Sequence, residues 1–123
     1  ALKFLMKAIA NAGYKPGKDV ALALDAAASE FYEKGKYNLD GKKLSGKELG
    51  KVYLSWMKKY PLISLEDPFA EDDWQSWQEF NLALKAQKSK ALLVGDDLFV
   101  TNVERLQRGI ADKAANAILI KVN

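Results

Sequence analysis

With 123 residues, 49% of them hydrophobic and 28% charged, the chain can bury one ordinary core and has the composition of a globular domain. It contains no cysteine and no histidine, which excludes disulfides, thiolate or imidazole zinc sites and His-based triads; acid–base chemistry must use Asp, Glu, Lys or Tyr. The net charge of +3 comes from scattered lysines, and the densest run (Lys85, Lys88, Lys90) reads as a solvated loop rather than a nucleic-acid contact. No apolar run approaches the roughly 20 residues of a membrane span. No signal peptide is visible at the start, which makes the cytoplasm the default compartment.

Leu2, Leu5, Met6 and Ile9 recur at the spacing of an amphipathic helix, which Gly13 and the turn Lys15-Pro16-Gly17 close. Val20 to Leu24 is a short continuous apolar run ending at Asp25, the pattern of a strand buried on both faces. Glu30 to Leu44 is polar, holds Gly35, Asn38, Asp40 and Gly41, and reads as a long loop or irregular excursion. Ser45-Gly46-Lys47-Glu48 fits a capping box. Leu49, Val52, Tyr53, Trp56, Met57 and Tyr60 then follow at helical spacing until Pro61. The cycle repeats: Leu62 to Leu65 runs into Glu66, Asp67-Pro68 turns the chain, and Asp72 or Asp73 caps a helix through Trp74, Trp77 and Leu84. Leu92 to Gly95 runs into Asp96, Asn102 caps a helix through Leu106 and Ile110, and Ile118 to Ile120 runs into Lys121. The chain starts already in helical periodicity and stops just after an apolar run, so both ends read as cut from something longer.

Four strands, each preceded by a helix, predict parallel βα units. The turn Asp25-Ala26-Ala27-Ala28-Ser29 lacks the glycines of a dinucleotide fold, which favours an arc of a (β/α)8 barrel over an open doubly wound sheet. Asp25, Glu66, Asp96 and Lys121 each follow an apolar run, and in a parallel barrel they would gather at the carboxyl-end rim, where barrel enzymes place their chemistry. Three converging carboxylates demand a positive charge between them. Oxygen-only ligands favour a hard cation such as Mg2+. A lysine beside them would be pushed up by the carboxylates and down by the metal, and so could serve as a base. Asp67 and Asp97, each following one of these residues, are better suited to loop capping. Glu71, Asp72 and Asp73 suit a helix start, and the Trp and Tyr stripes suit a core.

Leu24 to Tyr32, Ser64 to Phe69, Val94 to Asn102 and Leu119 to Asn123 closely resemble enolase, in the family's order, and Gly35-Lys36-Tyr37 and Asp72-Asp73-Trp74 add to the likeness. The resemblance covers essentially the whole chain, 1–123, as one part of the family's C-terminal catalytic barrel domain. It implies that Asp25, Glu66 and Asp96 are magnesium ligands and that Glu66 and Asp96 also lie against the substrate. It implies that Lys121 is the base taking the α-proton of 2-phosphoglycerate, that two Mg2+ ions stabilise the resulting charge, and that phosphoenolpyruvate forms as hydroxide leaves. The stretch from Glu30 to Leu44 would correspond to a mobile loop near the site. Val103 stands where the family commonly has proline, and the segment from Asn81 to Lys90 is a few residues longer than usual.

Intact members of the family are homodimers. They carry an N-terminal domain, a glutamate acid ahead of the first ligand, and a histidine and second lysine beyond the base. None of these is in the chain, so the polypeptide by itself is expected to be inactive. Two other readings stand beside this one: a non-catalytic enolase-derived module that binds a partner protein, and another dehydratase or racemase of the same superfamily.

Overall fold

The computed structural model describes residues 1–122. Helix α1 (Leu2–Asn11) leads to strand β1 (Leu22–Asp25), helix α2 (Gly46–Lys59) to β5 (Leu62–Glu66), α3 (Trp74–Ala86) to β6 (Leu92–Gly95), and α4 (Val103–Asp112) to β7 (Ala117–Ile118). The four strands form one parallel sheet in the order β1-β5-β6-β7. It is an arc of four strands and is not closed into a barrel among the described residues. The helix starts are set locally. Ser45 Oγ accepts from Glu48 N while the Glu48 carboxylate accepts from Ser45 N at 2.8 Å, the reciprocal capping box. Asp73 caps α3 through Ser76 N, and Asn102 caps α4 through Arg105 N at 3.0 Å.

The segment from Glu30 to Leu44, expected to be irregular, instead folds into a second, antiparallel sheet of β2 (Tyr32–Glu33), β3 (Lys36–Leu39) and β4 (Lys42–Leu44). Its two connections are the pairs Lys34-Gly35 and Asp40-Gly41, with φ of 51° and 77° and of 51° and 78°. Two successive left-handed residues make the hairpin turn that matches strand twist. Tyr37 anchors this sheet to the rest. It is fully buried, donates from Oη to Asp73 Oδ2 at 2.7 Å and accepts from Ala70 N at 3.0 Å.

The core lies between the parallel sheet, α2, α3 and the small sheet. Phe69, Trp77 and Phe80 meet edge to face in it, with Tyr53, Leu49, Leu65 and Leu93 around them. The aromatic stripes of α2 and α3 are therefore core, as their periodicity predicts. Two expectations need correction. The first strand is not buried on both faces: in β1 Leu22 is buried but Ala23 is exposed, and Val20 ahead of it is 37% exposed. The last strand is shorter than the run Ile118 to Ile120, because β6 ends at Gly95 and offers the later residues no further ladder; Leu119 N still reaches Gly95 O at 3.1 Å. Helix α1 has no buried residue, and its Phe4 and Leu5 face outward.

Candidate metal and proton-transfer site

The carboxyl ends of the parallel strands bring the expected residues to one rim, in two tiers. Asp25 is directly in register with Glu66, so these two carboxylates stand side by side on neighbouring strands. Glu66 is in register with Val94, so Asp96 comes two residues further along the chain, just past the end of β6, in the turn that follows it. Asp25, Glu66 and Asp67 can bring one oxygen each within 4.8 Å of one another, and so can Asp67, Asp96 and Asp97. The trio expected from the strand ends is thus split between two overlapping groups that share Asp67. Gly95, just before the second group, leaves room for the Phe99 ring: a Cβ there would stand 2.6 Å from it.

Lys121 joins the upper tier. Its Nζ lies 2.7 Å from Asp96 Oδ2, and its backbone N–H points to Thr101 Oγ1 at 3.4 Å. The Asp96 contact and the negative charge of Asp97 and Asp67 hold the ammonium above the usual lysine range. Asn123, the last residue of the final enolase-like motif, lies outside the described residues.

Glu66 is raised above the ordinary carboxylate range, first by burial and then by Asp25, Asp67 and Asp96, with Lys121 pulling the other way. Asp67 is also raised by burial, against the pull of the Asp97, Asp96 and Leu98 amides. A carboxylate cluster with more negative charge than its one lysine can offset, offering only oxygen atoms, fits a hard divalent cation such as Mg2+. The lower group offers the exposed Asp25 and the half-buried Glu66; the upper offers Asp96 and Asp97.

Two participants escaped the pattern of strand-end charges. Asp67, assigned to loop capping, does cap a turn, but that turn is the one carrying Asp96. Arg105, on the first turn of α4, donates to Leu98 O, to Glu71 O and to Asp72 Oδ1 at 3.1 Å, and stacks on Trp74 at 5.1 Å. It therefore clamps the turn after β5 to the turn after β6. Only its place one turn beyond an Asn cap hinted at this.

A parallel βα arc whose carboxyl rim carries an oxygen-only acidic cluster and a lysine has the layout of one part of a barrel-type α/β protein. The family model "Enolase, C-terminal TIM barrel domain" matches residues 1–123, and the chain belongs to the enolase family. It is 52% identical over 125 residues to "Enolase 2" of Pseudomonas syringae pv. syringae (strain B728a), covering all of this chain and 29% of that protein. It is 53% identical to the "Enolase" of Bdellovibrio bacteriovorus, covering all of this chain and 28% of that one. With "Enolase 1" of Methanospirillum hungatei JF-1 it shares 54% identity over 99% of this chain and 28% of the relative. The chain thus spans under a third of the length of the curated relatives it matches. No helix among the described residues is long and apolar enough to cross a membrane.

Proposed function

We propose that residues 1–123 are a segment of the catalytic barrel of an enolase, a cytoplasmic glycolytic lyase converting 2-phosphoglycerate to phosphoenolpyruvate. The observation that carries this reading is that Asp25 and Glu66 close two neighbouring parallel strands, while Asp96 and Lys121 follow just beyond the ends of the next two and pair at 2.7 Å, in a chain that the family model matches throughout. Asp25, Glu66 and Asp96 would hold Mg2+, with Glu66 and Asp96 also facing the substrate. When bound, the metal supplies positive charge against the substrate carboxylate and the charge left by proton loss. Lys121 Nζ removes the α-proton. Its pair with Asp96 keeps the ammonium charged in the metal-free state, so it becomes a base only when that carboxylate is engaged elsewhere.

The segment holds the metal cradle and the base. An acid for the departing hydroxide and the N-terminal domain that forms the dimer would come from outside it. The test is a chimera in which these residues replace the aligned segment of the Bdellovibrio enolase. Phosphoenolpyruvate formation by the chimera, abolished by EDTA and restored by Mg2+, is expected. A folded chimera with no activity sinks the assignment. The 123-residue polypeptide by itself should form no phosphoenolpyruvate in the same assay, and a rate within about a thousandfold of the chimera's would overturn that expectation.

A further inference from the structure

Asp67 is 3% exposed and adopts φ of +38°, a left-handed conformation uncommon for a residue with a side chain. Four hydrogen bonds hold it there. Its Oδ1 accepts from Asp96 N at 3.0 Å and its Oδ2 from Asp97 N at 2.9 Å. Its own N–H donates to Val94 O at 3.1 Å, and its carbonyl accepts from Ala28 N at 3.0 Å. One residue thus ties the end of β5 to β6 and to the turn after β1.

The turn it caps is a tight one. The Asp96 carbonyl accepts from Phe99 N at 3.1 Å and Val100 N at 2.8 Å, so the amides of Asp96 and Asp97 open the turn as orphan donors, as at a helix start. Two successive N–H groups make a concave donor pair that a carboxylate matches with one oxygen each. Asp96 is therefore fixed at both its amide and its carbonyl, and only its side-chain rotation is left to place the carboxylate beside Lys121.

We propose that Asp67 is a positioning residue, which sets the place of the Asp96 carboxylate by holding the Asp96 and Asp97 amides, and acts through Asp96 rather than as a cation ligand. The proposal rests on the reading of Asp96 as part of a metal site. It differs from the bare geometry of the acidic cluster, in which Asp67 is the carboxylate shared by both groups.

Hydrogen exchange on the wild-type protein tests it without any substitution. The Asp96 and Asp97 amides should be strongly protected without metal and remain so in Mg2+. Rapid exchange, or protection lost when Mg2+ is added, overturns the proposal. In the Bdellovibrio chimera, Asp67→Asn keeps the shape but turns one acceptor into a donor that faces an N–H. It should lower kcat by about 10- to 100-fold and raise the Mg2+ concentration for half-maximal activity in step. The KM for 2-phosphoglycerate should change by less than about threefold, the split expected for a group acting through a neighbour. A folded Asp67→Asn variant with unchanged kcat and Mg2+ requirement refutes the proposal. If that variant does not fold, the wild-type exchange result decides. A wild-type chimera without activity refutes the enolase reading instead and leaves the exchange result standing on its own.

Discussion

Replacing Tyr37 with Phe removes the oxygen that ties the small sheet to the cap of α3 and to the segment just ahead of it. The ring stays, with its edge contacts to Phe31 and Phe69 at 6.0 Å, so no cavity of consequence opens. Two hydrogen bonds are lost: the one donated to Asp73 at 2.7 Å and the one accepted from Ala70 N at 3.0 Å. A buried donor left without a partner costs about 1–3 kcal/mol, and a bond to a charged group contributes about 1.5–3 kcal/mol. The full sum is not expected, because Asp73 keeps its bond to Ser76 N and is partly open to water. A loss of about 2–3 kcal/mol follows, or a fall in Tm of about 6–12 °C for a domain of this size. Burial, and then the bond to Asp73, raises the Tyr37 phenol far above its ordinary range, so the hydroxyl remains protonated and the loss is constant across neutral and mildly alkaline pH. Urea denaturation of Tyr37→Phe beside Tyr14→Phe, whose ring is 56% exposed, measures it. A Tyr37→Phe loss below about 0.5 kcal/mol would refute the anchoring role.

Glu66 has a raised folded-state pKa, so it favours the fold in its protonated form; that contribution is full below the unfolded pKa and is lost as pH rises through the folded one. In EDTA, the wild type should therefore lose stability relative to Glu66→Gln as pH rises from the ordinary carboxylate range to neutrality, and thermal melts across that window giving the opposite trend would contradict the charge accounting. Lys121→Met and Asp96→Asn in the Bdellovibrio chimera should each lower kcat by about a thousandfold without unfolding it, and steady-state kinetics with circular dichroism check both points. Gly109→Ala, which in an open helix gains about 1 kcal/mol, should here cost about 1–3 kcal/mol, because the new Cβ would lie 2.3 Å from the Phe99 ring. A stabilised Gly109→Ala variant in chemical denaturation would show that the ring yields freely.

Features determined within a few residues are legible in the sequence. The capping box at Ser45 and Glu48, the caps at Asp73 and Asn102 and the apolar runs ending at Asp25, Glu66 and Asp96 all depend on near neighbours. The small antiparallel sheet carried its own signal in Lys34-Gly35 and Asp40-Gly41, yet Lys36, Asn38, Lys42 and Lys43 leave too few apolar residues for a visible alternation. Only Tyr37, Leu39 and Leu44 of its strands β3 and β4 turn toward the core. The rim residues were identifiable, but their division into two tiers was not. That division comes from the register of Glu66 with Val94, a pairing between segments far apart in sequence. The work of Asp67 depends on the same register together with the turn after β6, so it was hidden for the same reason.

The order β1-β5-β6-β7 is also the order of synthesis. Each strand of the arc can pair with one already made, so folding can follow elongation without waiting for a distant partner. The rim charges then arrive as acid, acid, acid and base. Repulsion among the carboxylates builds through Asp25, Glu66 and Asp96, and the first internal cation reaches them only with Lys121. During that interval a free divalent ion would offset the strain, so if the site takes a cation as proposed, the same ion would also favour its assembly, acting on a shorter nascent chain.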